Sequence, residues 1–131
     1  MKVLTIKQPW LYCITDGAKR IENRSWFPWV KQIGMTIYLH AAKKDDKAVY
    51  SELDGMGISV PKELPRGCIV ATCKIADVFS GPELLSIDDR KWFKGPFGWK
   101  LANIEKLDEP INCKGQLGLW NYNRNFFKQS K

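Results

Sequence analysis

From Met35 to Ala41 the chain alternates apolar and other side chains without a break: Met35, Ile37, Leu39 and Ala41 against Thr36, Tyr38 and His40. Successive side chains of a strand point to opposite faces, so this period sorts the two sets onto two sides of a sheet. A helix cannot collect these apolar residues on one face. One strand is not stable alone, so the rest of the chain must supply partners for it.

Four other stretches read as extended. Val3 to Ile6 is a short apolar run, and Cys68 to Val78 is a long one with Ile69, Ala71, Cys73 and Ile75 on one face. Phe97 to Ile104 carries Trp99 and Leu101 in alternation, and Leu117 to Tyr122 closes the series. Helices are expected between them. Pro9 suits a first helical turn, so a short helix is predicted from Pro9 to Asp16, with Trp10, Leu11, Cys13 and Ile14 as its apolar face and Gly17 as its stop. A second is predicted from Lys44 to Leu53 with Asp45 or Asp46 capping it, and a third, short one from Gly81-Pro82 through Leu85, with helix or turn on to Phe93. Pro110 and Gly115 read as loop punctuation. The expected fold is α+β: a small mixed β-barrel of five or six strands with two or three short helices, in a single domain over residues 1–131 with a basic tail from about residue 123.

Composition narrows the function classes. Lys and Arg number 21 against 14 Asp and Glu, a formal charge of +7, which favours an anionic partner, nucleic acid first. Six Trp, four Tyr and six Phe exceed what a core of this size needs, and Trp and Tyr also suit binding surfaces. Cys13, Cys68, Cys73 and Cys113 form no CxxC pair and His40 is the sole histidine, so no metal site and no cofactor are expected. The cysteines read as small apolar core residues in a reducing compartment. Neither a membrane-length apolar run nor a signal peptide is visible, which points to a cytoplasmic protein.

The stretch GAKRIENR, residues 17–24, places Lys19, Glu22 and Arg24 beside an apolar helix. As an extended segment it puts Glu22, Arg24 and Trp26 on one face and turns Ile21 toward a core. Two readings stay open. On an exposed face the charges form an ion pair of about 0–1 kcal/mol. In an enclosed cleft a lysine beside a carboxylate can transfer protons, and an arginine fork can hold a phosphate or a carbonyl edge. Trp10 before the stretch and Trp26 after it are candidates for an aromatic wall against which a flat base stacks.

The order strand, Gln8-Pro9-Trp10, helix, then GxKxxExR resembles the ASCH domain family (activating signal cointegrator-1 homology), which is similar in fold to the PUA domain, an RNA-binding β-barrel. IYLHAAK at 37–43, GPFGW at 95–99 and KGQLGLW at 114–120 extend the resemblance over nearly the whole chain. It implies a PUA-like fold and a cleft for RNA, a nucleotide or a nucleoside. Carried onto this sequence, Gln8, Trp10, Lys19, Glu22, Arg24, Trp26 and His40 are the candidate ligand-contacting residues, with a buried, hydrogen-bonded structural role equally open for His40. Some small members of the family are amidohydrolases acting on N4-acetylcytidine, with a threonine where Glu22 stands here, and others are linked to RNA cleavage. If this chain is an enzyme, Lys19 and Glu22 are the candidate catalytic pair, activating water while Arg24 stabilises negative charge. A third possibility is an interaction module that turns its basic surface to acidic partners.

Overall fold

The computed structural model describes residues 1–123, so the basic tail beyond Asn123 lies outside the described residues. Six strands form one sheet: β1 (Lys2–Ile6), β2 (Ile21–Arg24), β3 (Thr36–Ala41), β4 (Cys68–Phe79), β5 (Phe97–Asn112) and β6 (Leu119–Asn121). Their order across the sheet is β2-β5-β4-β3-β1-β6. Only β1 and β3 run parallel; the other neighbours are antiparallel. The sheet curls into a half-barrel. Three short helices complete a small α+β barrel-like fold: α1 (Trp10–Thr15), α2 (Ala48–Gly55) and α3 (Ile87–Arg90). None is long and apolar enough to cross a membrane.

The alternation in β3 is realised. Ile37, Leu39 and Ala41 are buried in the main core with Leu4, Ile6, Leu11, Ile14, Trp99 and Leu101. Each large aliphatic side chain so enclosed stabilises the fold by about 1.5–3 kcal/mol. Met35 falls outside the strand and is exposed, because its N–H closes a turn onto the Gln32 carbonyl (3.2 Å). His40 keeps the parity that turns it away from that core, and it is buried on the other face against Thr5, the Cys113 carbonyl and the Trp120 ring (centroids 5.7 Å apart).

Bulges also redirect β4 and β5. Ile69 does not share a face with Ala71, Cys73 and Ile75: the register slips between Ile69 and Ala71, so Val70 enters the main core and Ile69 packs with Val3 and Trp120. At the same slip β5 carries extra residues, pairing Lys106 with Ala71 but Ile111 with Ile69. Pro110 sits inside this irregular stretch, where no regular ladder N–H is required of it. The strand therefore continues to Asn112 instead of ending near Ile104.

Two helices differ from their predicted bounds. α2 begins at Ala48 with no side-chain cap, because Asp45 is committed elsewhere, accepting from Arg66 Nε (2.6 Å) and from the Tyr50 hydroxyl (2.6 Å). Gly81 to Leu85 forms only a turn; helix α3 follows it, capped by the Ser86 hydroxyl, which accepts from the Asp89 N–H (3.1 Å). All four cysteines are unpaired, and burial pushes the Cys73 thiol up to about 12.

Candidate functional site

The site begins where the chain leaves α1. A Cβ on Gly17 would lie 2.8 Å from the Cys13 carbonyl oxygen, so only glycine lets the backbone fold back this tightly. The Lys19 N–H then reaches the same carbonyl (3.0 Å), and the Lys19 side chain runs inward beneath the helix. It is 1% exposed. Its ammonium donates to Glu22 Oε1 (3.1 Å) and to the Ile21 carbonyl, and it lies 5.3 Å from the Trp10 ring centroid.

β2 is an edge strand, and its alternation sends Ile21 into the interior while Glu22 and Arg24 share the other face. Glu22 is 7% exposed and bridges two cations: its second oxygen accepts from Arg24 Nη2 (2.9 Å). Arg24 Nη2 also donates to the Thr5 carbonyl (2.8 Å). β6 pairs with β1 only as far as Leu4, so Thr5 lies past its end. Arg24 thus ties β2, at one end of the sheet order, to β1, next to last at the other, across the open side of the half-barrel. Buried charges are tolerated only when paired in this way, and removing one partner of such a set costs about 3–5 kcal/mol.

Over this floor lies a concavity of about 280 Å3. Trp10, Glu22, Asn23 and Arg24 line one side, Thr5 to Lys7 another, and the segment Gln116–Gly118 overhangs it. Asn23 is braced from outside: its Oδ1 accepts from the N–H groups of Lys94 (2.7 Å) and Gly95 (3.0 Å), and its Nδ2 donates to the Trp92 carbonyl (3.0 Å). A second concavity of about 390 Å3 shares Thr5, Ala42, Gln116 and Leu117 with the first and adds Lys43, Lys44 and Lys114. A third, about 420 Å3, shares Leu117 and Gly118 and adds Trp26, Phe27, Trp29, Lys2 and Lys31. The three meet along one ridge, residues 115–118. Glu22 is their single acidic lining residue, against seven cationic ones. Lys7, Lys43, Lys44 and Lys114 are exposed, and none makes an ion pair with a described residue.

The seven candidate residues separate accordingly. Trp10, Glu22 and Arg24 line the central concavity, and Lys19 lies directly behind Glu22. Trp26 lines the third concavity, packed edge-on against Trp99 with ring centroids 4.8 Å apart. Gln8 lines none of the three. Its side chain is buried and used structurally, accepting from the Tyr12 N–H (2.9 Å) and donating to the Pro65 carbonyl (3.0 Å). His40 touches the second concavity but is 1% exposed. The Cys113 carbonyl can only accept, so His40 Nε2 carries the hydrogen (2.8 Å) and Nδ1 accepts from the Thr5 hydroxyl (3.3 Å), which in turn accepts from Trp120 Nε1 (3.0 Å). Burial holds this imidazole below its usual value, the Cys113 hydrogen bond opposing it in part. A Cβ on Gly115 would lie 2.8 Å from the ring, so the ridge is seated directly on His40.

The lysine rim and Trp29 were not singled out from the sequence. A signal existed: Lys43-Lys44 directly follows the best-defined strand, and Lys114 precedes a glycine. Among the described residues no cluster of His, Cys, Asp and Glu could hold a metal ion.

A model of the ASCH domain matches residues 4–111, most of the chain, from Leu4 within β1 to the penultimate residue of β5. The chain belongs to the ASCH domain family. This ASCH domain is 25% identical over 126 residues to activating signal cointegrator 1 of Homo sapiens, an alignment covering 89% of the chain and 21% of the human protein. It is 28% identical over 83 residues to activating signal cointegrator 1 of Mus musculus, covering 59% of the chain and 14% of that protein. The chain spans about a fifth of the length of the human relative. The ridge, residues 115–118, falls beyond the stretch of the ASCH match.

Proposed function

We propose that this ASCH domain binds RNA or a nucleotide in the concavity between Trp10 and Arg24, with phosphates held by the lysine rim. The observation that carries the reading is a polar floor tied together by ion pairs beside a rim of cations that make no ion pair with a described residue. Lys19, Glu22 and Arg24 are tied to one another before any ligand arrives, with Arg24 Nε left buried and unpartnered, so they offer a fixed surface. Of the Arg24 guanidinium, only Nη2 is engaged among the described residues, which leaves Nη1 for a base carbonyl or a phosphate oxygen. Among the described residues, Lys7, Lys43, Lys44 and Lys114 have no ion-paired acid to displace. The family's likeness to the RNA-binding PUA fold supports the same reading.

A titration of the protein with a nucleoside monophosphate and with a short single-stranded RNA, repeated at rising salt, tests it. Affinity is expected to fall linearly on a log–log plot as counterions are released, and Arg24→Ala is expected to weaken it. Absence of affinity for both probes, or affinity indifferent to salt, overturns the proposal.

A second reading, hydrolysis of an acylated nucleoside or of RNA, has the 3.1 Å contact between Lys19 and Glu22 in its favour. Lys19 does not line the concavity, however, and spends its ammonium on Glu22 and the Ile21 carbonyl. Glu22 is the group that could reach a water molecule beside the ligand. Release of cytidine from N4-acetylcytidine that disappears in Glu22→Gln is the result that establishes this reading over plain binding.

A further inference from the structure

Trp29 differs from the other tryptophans near the cleft. Trp10 already carries two ammonium groups over its ring, Lys19 at 5.3 Å and Lys94 at 5.2 Å. Trp26 packs against the core through Trp99. Trp29 is 68% exposed. Its backbone is nonetheless fixed: its N–H donates to Gln32 Oε1 (2.9 Å), and its carbonyl accepts from the Gln32 N–H (2.8 Å), closing the turn Val30–Gln32. An indole presented to solvent from a tied backbone loses little freedom when something stacks on it. Lys31 lies over one face of the Trp29 ring, 4.8 Å from its centroid, which leaves a single face for a base, and Lys2 lines the same concavity, which has no acidic residue in its lining. That concavity joins the central one at Leu117 and Gly118.

From these features we infer that the Trp29 face is a second base-stacking station, continuous with the cleft, so that the ligand is a single-stranded nucleic acid of several nucleotides rather than a mononucleotide. One base occupies the Trp10–Arg24 concavity, the strand crosses the Leu117–Gly118 ridge, and a later base stacks on Trp29 with its phosphate near Lys31 and Lys2. The inference rests on the proposed function above and names its substrate class. Aromatic platforms alternating with lysines are the arrangement that takes unpaired strands without demanding a sequence.

The test compares uridine monophosphate with single-stranded oligouridylates of increasing length, on the wild-type chain and on Trp29→Ala, Trp29→Phe and Lys31→Glu. The long strand is expected to bind the wild type more tightly than the mononucleotide does. Trp29→Ala should lower the affinity for the long strand by about fivefold or more, the loss of one stacked base, while mononucleotide affinity stays unchanged. Trp29→Phe should retain most of the affinity, and Lys31→Glu should lower it. Trp29 is exposed, so the unfolding temperature of each variant should match the wild type. Mononucleotide binding with no effect of Trp29→Ala on the long strand overturns this inference and leaves the cleft reading standing. No binding of either probe overturns both. Binding to anionic lipid vesicles that is lost in Trp29→Ala, with oligouridylate affinity unaltered, overturns it in favour of a membrane-surface role for this face.

Discussion

Lys19 and Lys44 border the same cleft region and carry the same charge, yet their surroundings are opposite. Lys19 is buried under a helix and holds a carboxylate and a carbonyl; Lys44 is exposed and has no ion-pair partner among the described residues. The first belongs to the floor with Glu22 and Arg24, the second to the rim with Lys7, Lys43 and Lys114. A charge that is already neutralised shapes a cavity, whereas one left unpaired attracts a ligand. The difference separates the residues that build the cleft from those that a phosphate meets first.

The largest effect should come from the floor. Glu22→Ala leaves the Lys19 ammonium buried with one carbonyl and frees Arg24 from its carboxylate, so unfolding by denaturant should show a loss of about 3–5 kcal/mol. A loss below about 1 kcal/mol would place the trio with ordinary surface ion pairs and remove the contrast with the rim.

The rim should behave in the reverse way. Lys43→Ala, Lys44→Ala and Lys114→Ala should each change stability by no more than about 0.5 kcal/mol. Each lysine that meets a phosphate should instead flatten the salt dependence of single-strand binding by about 0.7 in log–log slope when removed. Unchanged slopes in all three variants would move the phosphate path to another face.

The smallest effect is expected at His40, which belongs to the floor of the second concavity. Its folded value lies below the usual 6.5, chiefly through burial, so the unfolded chain takes up a proton first as pH falls. Stability from this group is complete above about pH 6.5 and declines as pH drops from there through the folded value. Thermal unfolding followed downward from neutral pH should show this decline, and His40→Asn should reduce it.

How much could be read beforehand follows the range of the interactions involved. β3, the start of α1 and the burial of Ile21 depend on local periodicity and on Pro9, and they were legible. The turning of Ile69 and the continuation of β5 through Pro110 depend on bulges, whose cause lies in the partner strand, and the burial of His40 depends on the distant segment 113–120 that covers it. The grouping of Lys19, Glu22 and Arg24 was legible as a cluster. Its enclosure was suggested by the flanking Trp10 and Trp26, but the tie that closes it was not legible, because it requires Thr5 to lie past the end of β6 and Arg24 to bridge to it. Gln8 shows the converse: a polar residue beside a tryptophan reads as a ligand contact, but its amide is consumed by Tyr12 and Pro65. The rim lysines escaped because what marks them is the lack of nearby acids in space, which no linear spacing encodes.

The seating of Gly115 on the imidazole leaves no room there for even a methyl group, while two positions later Leu117 is 97% exposed. The overhang therefore has an immovable heel and a free tip. Residues at the tip can be exchanged without disturbing the sheet beneath, so this short segment is where the preference of the cleft for one ligand over another can be retuned while the scaffold stays as it is.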